Sequence, residues 1–240
     1  MRSSFQLSAI PYSLAYPDGT LRKATKSVLL AELKQTVNVE PRLPKTNNAP
    51  STAHIDGMAQ VQMLKSGGGL TFADLDDKHY DMVTAHYRQP GYNRVDIVFD
   101  RCDRVQSIKS GERDRRSLST PSLEVKITGP KMPIPKQWKK FITFQKNKAN
   151  LPAFLSNRLC ELPKLKLHHG QQLVLAGGFK EEEKVILVTE GSSASLEALK
   201  SNHEEADTRM LLHARHASLD HNRIIVQSPD TDVAVLCTFF

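Results

Sequence analysis

Carboxylates stand at points in the sequence where a β-strand is predicted to end. Open parallel sheets bind their ligands just outside the carboxyl ends of the strands. One aspartate at such a place is ordinary turn chemistry, but several at one edge of a sheet predict a carboxylate site. They close HIDGM, follow VDIVF and follow RIIVQSP, and they are Asp56, Asp100, Asp230 and Asp232.

The spacing within PDTD is the most suggestive local pattern. In an extended chain, residues two apart project to the same side, so Asp230 and Asp232 would point together. Two adjacent carboxylates repel unless one is protonated or a cation lies between them, and Mg²⁺ or Mn²⁺ prefers such oxygen ligands. The alternative is a type I turn after Pro229, in which the two side chains diverge.

The predicted helix that starts in SNHEEADTR carries three more carboxylates. Ser201 and Glu204 have the spacing of a capping box, in which Glu204 serves the helix N-terminus rather than an ion. Glu205 and Asp207 are two residues apart and flank a common ion only at the rim of the helix. Glu204 and Asp207 share a face, so spacing alone leaves both pairs open.

The segment HEEAD also resembles the zinc pattern HExxH, with Asp207 in place of the second histidine. Such a site needs a third ligand in a defined place. The downstream histidines are instead expected on a solvated helix surface or in the loop after it: His213, His216 and His221. A zinc hydrolase is therefore the disfavoured alternative.

Strands and helices alternate along residues 53–240, with apolar residues on both faces of the strands. This pattern predicts an α/β fold with a mostly parallel central sheet flanked by helices. Residues 1–52 are predicted to form an irregular arm with one helix and a Pro/Asn-rich linker. The predicted strands are HIDGM, VDIVF, QQLVLAG, KVILVT, RIIVQ and VAVLCTFF. The predicted helices cover 71–88, capped by Thr71 and Asp74, and 136–144, 151–162 and 201–218.

Positive charge is concentrated in residues 101–148, which hold 13 Lys and Arg against 4 Asp and Glu, a net charge of +9. The whole chain carries +7, so the remainder carries −2. A local excess of this size suits a polyanion such as nucleic acid, because binding releases counterions from its phosphates. The alternative is a solvated basic loop.

Composition sets the broad class. Hydrophobic residues make up 39% and charged residues 25%, which are ordinary globular values. No apolar run approaches the length of a membrane span, and the N-terminal stretch does not have the pattern of a signal peptide. The three cysteines, Cys102, Cys160 and Cys237, form no CxxC pair, so we expect no disulfide framework and an intracellular protein of the nucleus or cytoplasm.

Taken in order, HIDGM, VDIVFD, IKSGERDRR, EEAD and SPDTDV resemble the sequence blocks of flap-endonuclease-type 5′ nucleases in the PIN-like superfamily. The chain is also similar to uncharacterised, transposon-associated animal proteins with an HEEADTR helix followed by a DTDV strand. The resemblance covers roughly residues 53–116 and 201–240. It implies a PIN-like, Rossmannoid domain over 53–240, with the basic insertion at about 101–148 in the place of a strand-threading arch.

The resemblance also implies roles for individual residues. The metal-binding carboxylates would be Asp56, Asp100, Glu205, Asp207, Asp230 and Asp232, holding Mg²⁺ or Mn²⁺. Lys109 and Arg116 would match the catalytic basic residues that steady the scissile phosphate. The partner would be nucleic acid, DNA rather than RNA.

The chain departs from the family pattern at several points. Asp100 is followed by Arg101 rather than glycine, two extra residues precede KSGE, and no helix–hairpin–helix clamp is visible. The last acidic block of the family lies after the D-x-D strand, so a domain incomplete at its C-terminus is expected. Three readings follow: a structure-specific metal-dependent nuclease, a non-catalytic nucleic-acid-binding remnant of a transposon-derived protein, or an incomplete product without function.

Overall fold

The computed structural model describes residues 16, 28, 31, 32, 35, 50–64, 70–101, 124–161, 167–181 and 183–238. The chain divides into two compact units, Met1–Pro44 and Lys45–Phe240. In the first unit, residues 28, 31, 32 and 35 are helical. All the other features described below belong to the second unit.

A six-stranded sheet forms the centre of the second unit, in the order β5-β4-β3-β2-β1-β6. Strands β6, β1, β2 and β3 run parallel, whereas β4 and β5 are antiparallel to their neighbours. The strands are β1 Ser51–Asp56, β2 Tyr92–Val98, β3 Gln172–Ala176, β4 Val185–Thr189, β5 Ser192–Ser195 and β6 Arg223–Gln227.

The expectation of a mostly parallel sheet is therefore wrong, and the sheet is mixed. A parallel connection needs a crossover of about a dozen residues or more, but only residues 177–184 join β3 to β4. The turn from β4 to β5 is tighter still and places Gly191 at φ 71°. Short connections of this kind force neighbouring strands to run antiparallel.

Helices cover both faces of the sheet, as the α/β pattern predicted. They are α1 Gly57–Met63, α2 Phe72–Thr84, α3 Trp138–Thr143, α4 Gln145–Glu161, α5 Ala206–Ala217 and α6 Thr231–Cys237, with short 3₁₀ turns at Ala85–Arg88 and Glu197–Leu199. Among the described helices, none combines the length and apolar character needed to cross a membrane.

The two faces of the sheet differ in chemistry. One face carries the larger core, in which Ile55, Val95 and Leu173 pack with apolar residues of α2, α3 and α4. The opposite face, beneath α5 and α6, has a smaller apolar cluster around Val174 and Met210. Buried polar side chains occupy much of the rest of that second face.

Helix ends show where local signals predicted correctly and where they did not. Thr71 and Asp74 form the predicted capping box of α2. The predicted box of Ser201 and Glu204 is wrong, because α5 begins only at Ala206 and the Ser201 hydroxyl accepts from the His203 N–H. Most of VAVLCTFF, expected as a strand, instead forms α6.

The first strand-to-helix junction explains one glycine. The strand ends at Asp56, and its carboxylate accepts from the Ala59 N–H at 3.0 Å as the N-cap of α1. A Cβ on Gly57 would lie 2.5 Å from the Phe99 ring. Any larger residue after the aspartate would therefore have to displace the buried Phe99 ring.

His79 supplies a test of the larger core. It lies fully buried in α2, and neither ring nitrogen has a hydrogen-bond partner among the described residues. Burial lowers its pKa to about 4. Between about pH 4 and pH 6.5 the unfolded chain binds a proton that the folded chain does not, so stability falls as the pH drops through this range.

We expect His79→Leu to raise the free energy of unfolding at pH 7 by about 1 kcal/mol, because it removes a buried polar group without partners. The variant should also lose less stability than the wild type between pH 7 and pH 5. Urea unfolding measures both quantities, and exposed His169→Leu is the matched control. A loss of stability in His79→Leu would contradict this account.

Candidate metal centre

The acidic residues predicted from the sequence converge at one edge of the sheet. Strands β6, β1 and β2 are adjacent and parallel, so their carboxyl ends lie together. Asp56 ends β1, Asp100 comes two residues after β2, and Asp230 follows β6. The first turn of α5 adds Asp207 at the same edge, where the charges of these three carboxylates help to raise its pKa.

Three carboxylates form the tightest group. Asp207, Asp230 and Asp232 each offer an oxygen, and these atoms lie within 4.8 Å of one another. Asp230 and Asp232 do not come together in an extended chain, as their spacing suggested. Asp230 is the N-cap of α6 and accepts from the Asp232 N–H at 3.0 Å, so the start of a helix, and not a strand, brings the pair together.

Ser228 links two of the strand ends and was not foreseen from the sequence. Its hydroxyl donates to Asp56 at 3.4 Å and accepts from the Asp230 N–H at 3.1 Å. It therefore fixes the end of β1 against the loop that begins α6. The signal was present as the serine in SPDTD, but a serine in a turn-rich segment is too common to be informative alone.

Asp100 is held by the helix that it faces. Its carboxylate accepts from the Ala206 N–H at 2.8 Å, one of the amide groups that a helix leaves unpaired in its first turn. Glu205, the half-buried N-cap residue of α5, precedes that amide. Glu204 is buried, and its backbone carbonyl accepts from the Arg101 N–H at 2.8 Å. Asp100 and Arg101 thus bind the segment that carries Glu205 and Asp207.

The pKa of Asp207 reflects its partial burial and the negative charges around it. Partial burial, followed by the charges of Asp230, Asp100, Asp56 and Glu205, raises its pKa to about 6. Burial and the charge of Asp100 likewise raise the pKa of Asp56, against an opposing hydrogen bond from Ala59. With a pKa of about 6, Asp207 retains its proton in mildly acidic solution unless another positive charge replaces it.

The donor set fits a hard divalent cation. All the ligand atoms are carboxylate oxygens, which Mg²⁺, Mn²⁺ and Ca²⁺ prefer over softer metals. Metal–oxygen distances of roughly 2.0–2.6 Å place two oxygens of one shell no more than about 5 Å apart. The oxygens of Asp207, Asp230 and Asp232 meet this limit. The roles of all six predicted carboxylates as ligands stay a prediction.

A second group of side chains lies buried beneath this edge, under α5. Asp96 accepts two bonds from Arg94, at 2.7 and 2.8 Å, and one from Nδ1 of His213 at 2.7 Å, while His54 lies 3.6 Å away. Burial alone would raise the pKa of Asp96, but these hydrogen bonds outweigh it and hold the pKa below its ordinary value.

The group formed by His54, Asp96 and His213 also brings three ligand atoms within 4.8 Å. A cation there would compete with the Arg94 guanidinium and with the proton shared by Asp96 and His213. Charge therefore argues against a metal at this position. These side chains form a structural network.

His221 lies in the loop after α5, one of the two places predicted for these histidines, but the prediction of a solvated helix surface is wrong for His213. His213 and His221 are buried. His216 is half-buried and lies 3.1 Å from Arg94, and His221 contacts Asn93 at 3.0 Å. No sequence signal predicted that these histidines are buried, because polar residues beneath a helix do not follow the apolar periodicity by which a buried face is recognised.

The remaining predicted residues fall outside the description. Lys109 and Arg116 lie in residues 102–123, which the structure does not describe, as does Cys102. The roles of Lys109 and Arg116 in binding phosphate stay predictions.

Comparison of the chain with protein-family models, with curated proteins and with solved structures finds no significant match.

The raised pKa of Asp207 leads to a prediction about stability. Without a cation, the folded protein retains a proton that the unfolded chain loses near pH 4, so this group costs stability as the pH rises through about 6. Asp207→Asn should therefore be more stable than the wild type at pH 7.5 in EDTA. Mn²⁺ should raise the unfolding temperature of the wild type and leave that of Asp207→Asn nearly unchanged.

Exposed Asp220→Asn is the matched control and should respond to Mn²⁺ as the wild type does. The unfolding temperature is measured by circular dichroism at several Mn²⁺ concentrations. A variant at Asp207 that is destabilised in EDTA, or that keeps the full Mn²⁺ response, would count against the centre.

The buried network leads to a separate prediction. Asp96→Asn leaves the Arg94 guanidinium buried without its counter-charge, so we expect a loss of about 3–5 kcal/mol in the free energy of unfolding. Exposed Asp81→Asn should change it by less than about 0.5 kcal/mol. Equal unfolding curves in denaturant for Asp96→Asn and the wild type would show that the network is not structural.

Proposed function

We propose that the unit Lys45–Phe240 is a divalent-metal-dependent phosphodiesterase with a PIN-like, Rossmannoid fold that cleaves nucleic acid, DNA rather than RNA. One observation carries the proposal. Carboxylates at the ends of β1, β2 and β6 and at the starts of α5 and α6 meet at one sheet edge, and partial burial together with their negative charge raises the pKa of Asp207 to about 6. A site of this kind is stabilised by a cation.

The carboxylates have distinct positions in the proposed centre. Asp207, Asp230 and Asp232 would hold a divalent ion directly, and Asp56, Asp100 and Glu205 would complete the shell or hold a second ion. When bound, Mg²⁺ or Mn²⁺ would activate water and stabilise the charge that develops on the phosphodiester. The family resemblance assigns the scissile phosphate to Lys109 and Arg116.

Hydrogen bonds from neighbouring groups hold three of the proposed ligands in place. The Ala206 N–H holds Asp100, the Ala59 N–H and the Ser228 hydroxyl hold Asp56, and the Asp232 N–H holds Asp230. Each bond leaves other carboxylate lone pairs available, since an ionised carboxyl group accepts at about four sites. These side chains are therefore oriented before an ion arrives, which is what precise metal-assisted chemistry requires.

A second function is supported by a different observation. The net charge of +9 in residues 101–148 does not depend on the carboxylates, and it favours binding to nucleic acid even without cleavage. Under this alternative the protein binds nucleic acid without hydrolysing it. Its affinity would fall steeply with salt concentration and would tolerate loss of the carboxylates.

The test is incubation of the purified chain with single-stranded and branched DNA and RNA, with Mn²⁺, Mg²⁺ or EDTA. We expect metal-dependent cleavage that Asp230→Ala/Asp232→Ala reduces by at least about 100-fold, because several kcal/mol of charge stabilisation are lost. Asp81→Ala/Asp220→Ala removes two exposed aspartates elsewhere and should cleave normally.

Absence of cleavage on every substrate would sink the enzymatic proposal. Salt-sensitive binding of equal strength in the wild type and the Asp230→Ala/Asp232→Ala variant would then support the second function. Cleavage that survives in that variant would show that another site, or a contaminant, performs the reaction.

A further inference from the structure

The segment of residues 201–205 leads the chain into α5, so its position decides where Glu205 and Asp207 lie. It belongs to neither a helix nor a strand, and the regular backbone hydrogen bonds of those elements do not hold it. Two of its residues, Ser201 and Glu204, are nevertheless buried. Contacts with other parts of the chain are therefore needed to fix this segment.

Arg101 contacts the segment with its side chain as well as with its backbone. Its Nη1 donates to the Ser201 carbonyl at 3.3 Å, and its backbone N–H donates to the Glu204 carbonyl at 2.8 Å. The preceding residue, Asp100, accepts from the Ala206 N–H. Two consecutive residues after β2 thus hold the segment at three points, on both sides of Glu205.

Glu183 holds the Arg101 guanidinium from another direction. This glutamate lies on the connection between β3 and β4, and its Oε1 accepts from Nη1 of Arg101 at 3.3 Å. The Arg101 side chain is 9% exposed, whereas that of Glu183 is 54% exposed. Burying an arginine costs free energy unless acceptors replace water. The Ser201 carbonyl and the Glu183 carboxylate supply such acceptors.

This side-chain contact is particular to the chain. In the nuclease pattern that the sequence resembles, glycine follows the aspartate, whereas here the residue is Arg101. Glycine has no side chain that could reach the Ser201 carbonyl. The pattern therefore does not account for the contact, and the geometry around Arg101 does.

We propose that Arg101 is a positioning residue of the metal centre, whose guanidinium, held by Glu183, fixes residues 201–205 and thereby orients Glu205 and Asp207 towards the ion. The inference rests on the proposed function, and it adds a residue that controls the metal affinity of the same site without touching the ion. Groups that orient metal ligands from outside typically change metal affinity or activity by about 10- to 100-fold when they are removed.

The test measures Mn²⁺ binding to the full chain without nucleic acid, from the electron paramagnetic resonance signal of free Mn²⁺. Arg101→Met keeps much of the apolar stem and removes the donors. We expect this variant to bind Mn²⁺ about 10- to 100-fold more weakly than the wild type. Its unfolding temperature in EDTA shows whether it is folded.

Arg101→Lys tests whether the hydrogen bonds carry the effect. Both printed side-chain bonds come from the same nitrogen, Nη1, so the planar fork of the guanidinium is not what these acceptors require. An ammonium group has three donors and can serve both acceptors. Arg101→Lys should therefore recover most of the Mn²⁺ affinity that Arg101→Met loses.

Arg158→Met is the matched control for a general loss of stability. Arg158 lies on α4, on the opposite face of the sheet from α5, and its Nε donates to the buried Asp76 carboxylate at 3.0 Å. Its loss removes an arginine–carboxylate pair far from the acidic edge. This variant should be less stable than the wild type and should bind Mn²⁺ equally well.

Glu183→Ala keeps the proposal testable if Arg101→Met does not fold, because Glu183 is exposed. Its control is Glu181→Ala, which removes the same charge from the same connection. The difference between the two variants isolates the contact with Arg101 from the loss of one negative charge. Glu183→Ala should bind Mn²⁺ about 2- to 10-fold more weakly than Glu181→Ala, the range for one hydrogen bond.

The outcomes separate this inference from the proposed function. A wild type that binds no Mn²⁺ would overturn the metal centre and the role of Arg101 with it. If the wild type binds Mn²⁺, equal affinity in a folded Arg101→Met would overturn only the positioning role. Equal losses in Arg101→Met and Arg101→Lys, or equal affinities in Glu183→Ala and Glu181→Ala, would do the same and leave the metal centre in place.

Discussion

The attachment of α5 to β2 is the constraint on which the rest of the candidate site depends. Five contacts follow in order along β2 and the three residues after it. The pairs are Arg94 with His216, Asp96 with His213, the Phe99 carbonyl with Arg209, Asp100 with the Ala206 N–H, and the Arg101 N–H with the Glu204 carbonyl. Hydrogen bonds are directional, whereas apolar packing tolerates sliding. This ladder therefore fixes the register of the helix and places Asp207 above the strand ends.

How much of this was visible in the sequence depends on the range of the signal. Period and turn chemistry predicted most strands and the Thr71 capping box, since these signals are local. The position of the acidic residues at strand ends was also visible, because neighbouring parallel strands must end at one edge. The helical start of α6 was not, because a short apolar run reads equally as strand or helix.

The misread histidines have a different cause. A capping box at Ser201 would have begun the helix four residues early. Arg209 and His213 lie one turn apart on the face of α5 that meets β2, and their acceptors are more than 100 residues away in sequence. Single-sequence patterns carry no information about such distant partners. The polar face of α5 therefore looked solvated, although it is buried.

Two carboxylates on this side of the sheet, one buried and one half-buried, differ in their surroundings. Asp96 lies under α5 with Arg94 and His213, and its pKa is held below the ordinary value. Asp207 lies in the first turn of α5. Partial burial, followed by the charges of four other carboxylates, raises its pKa to about 6. Asp96 is thus neutralised by Arg94 of β2 and hydrogen-bonded by His213 of α5, whereas negative charge is concentrated around Asp207. Repulsion of this kind costs stability unless a cation joins the site, which is the physical reason for the metal centre proposed above.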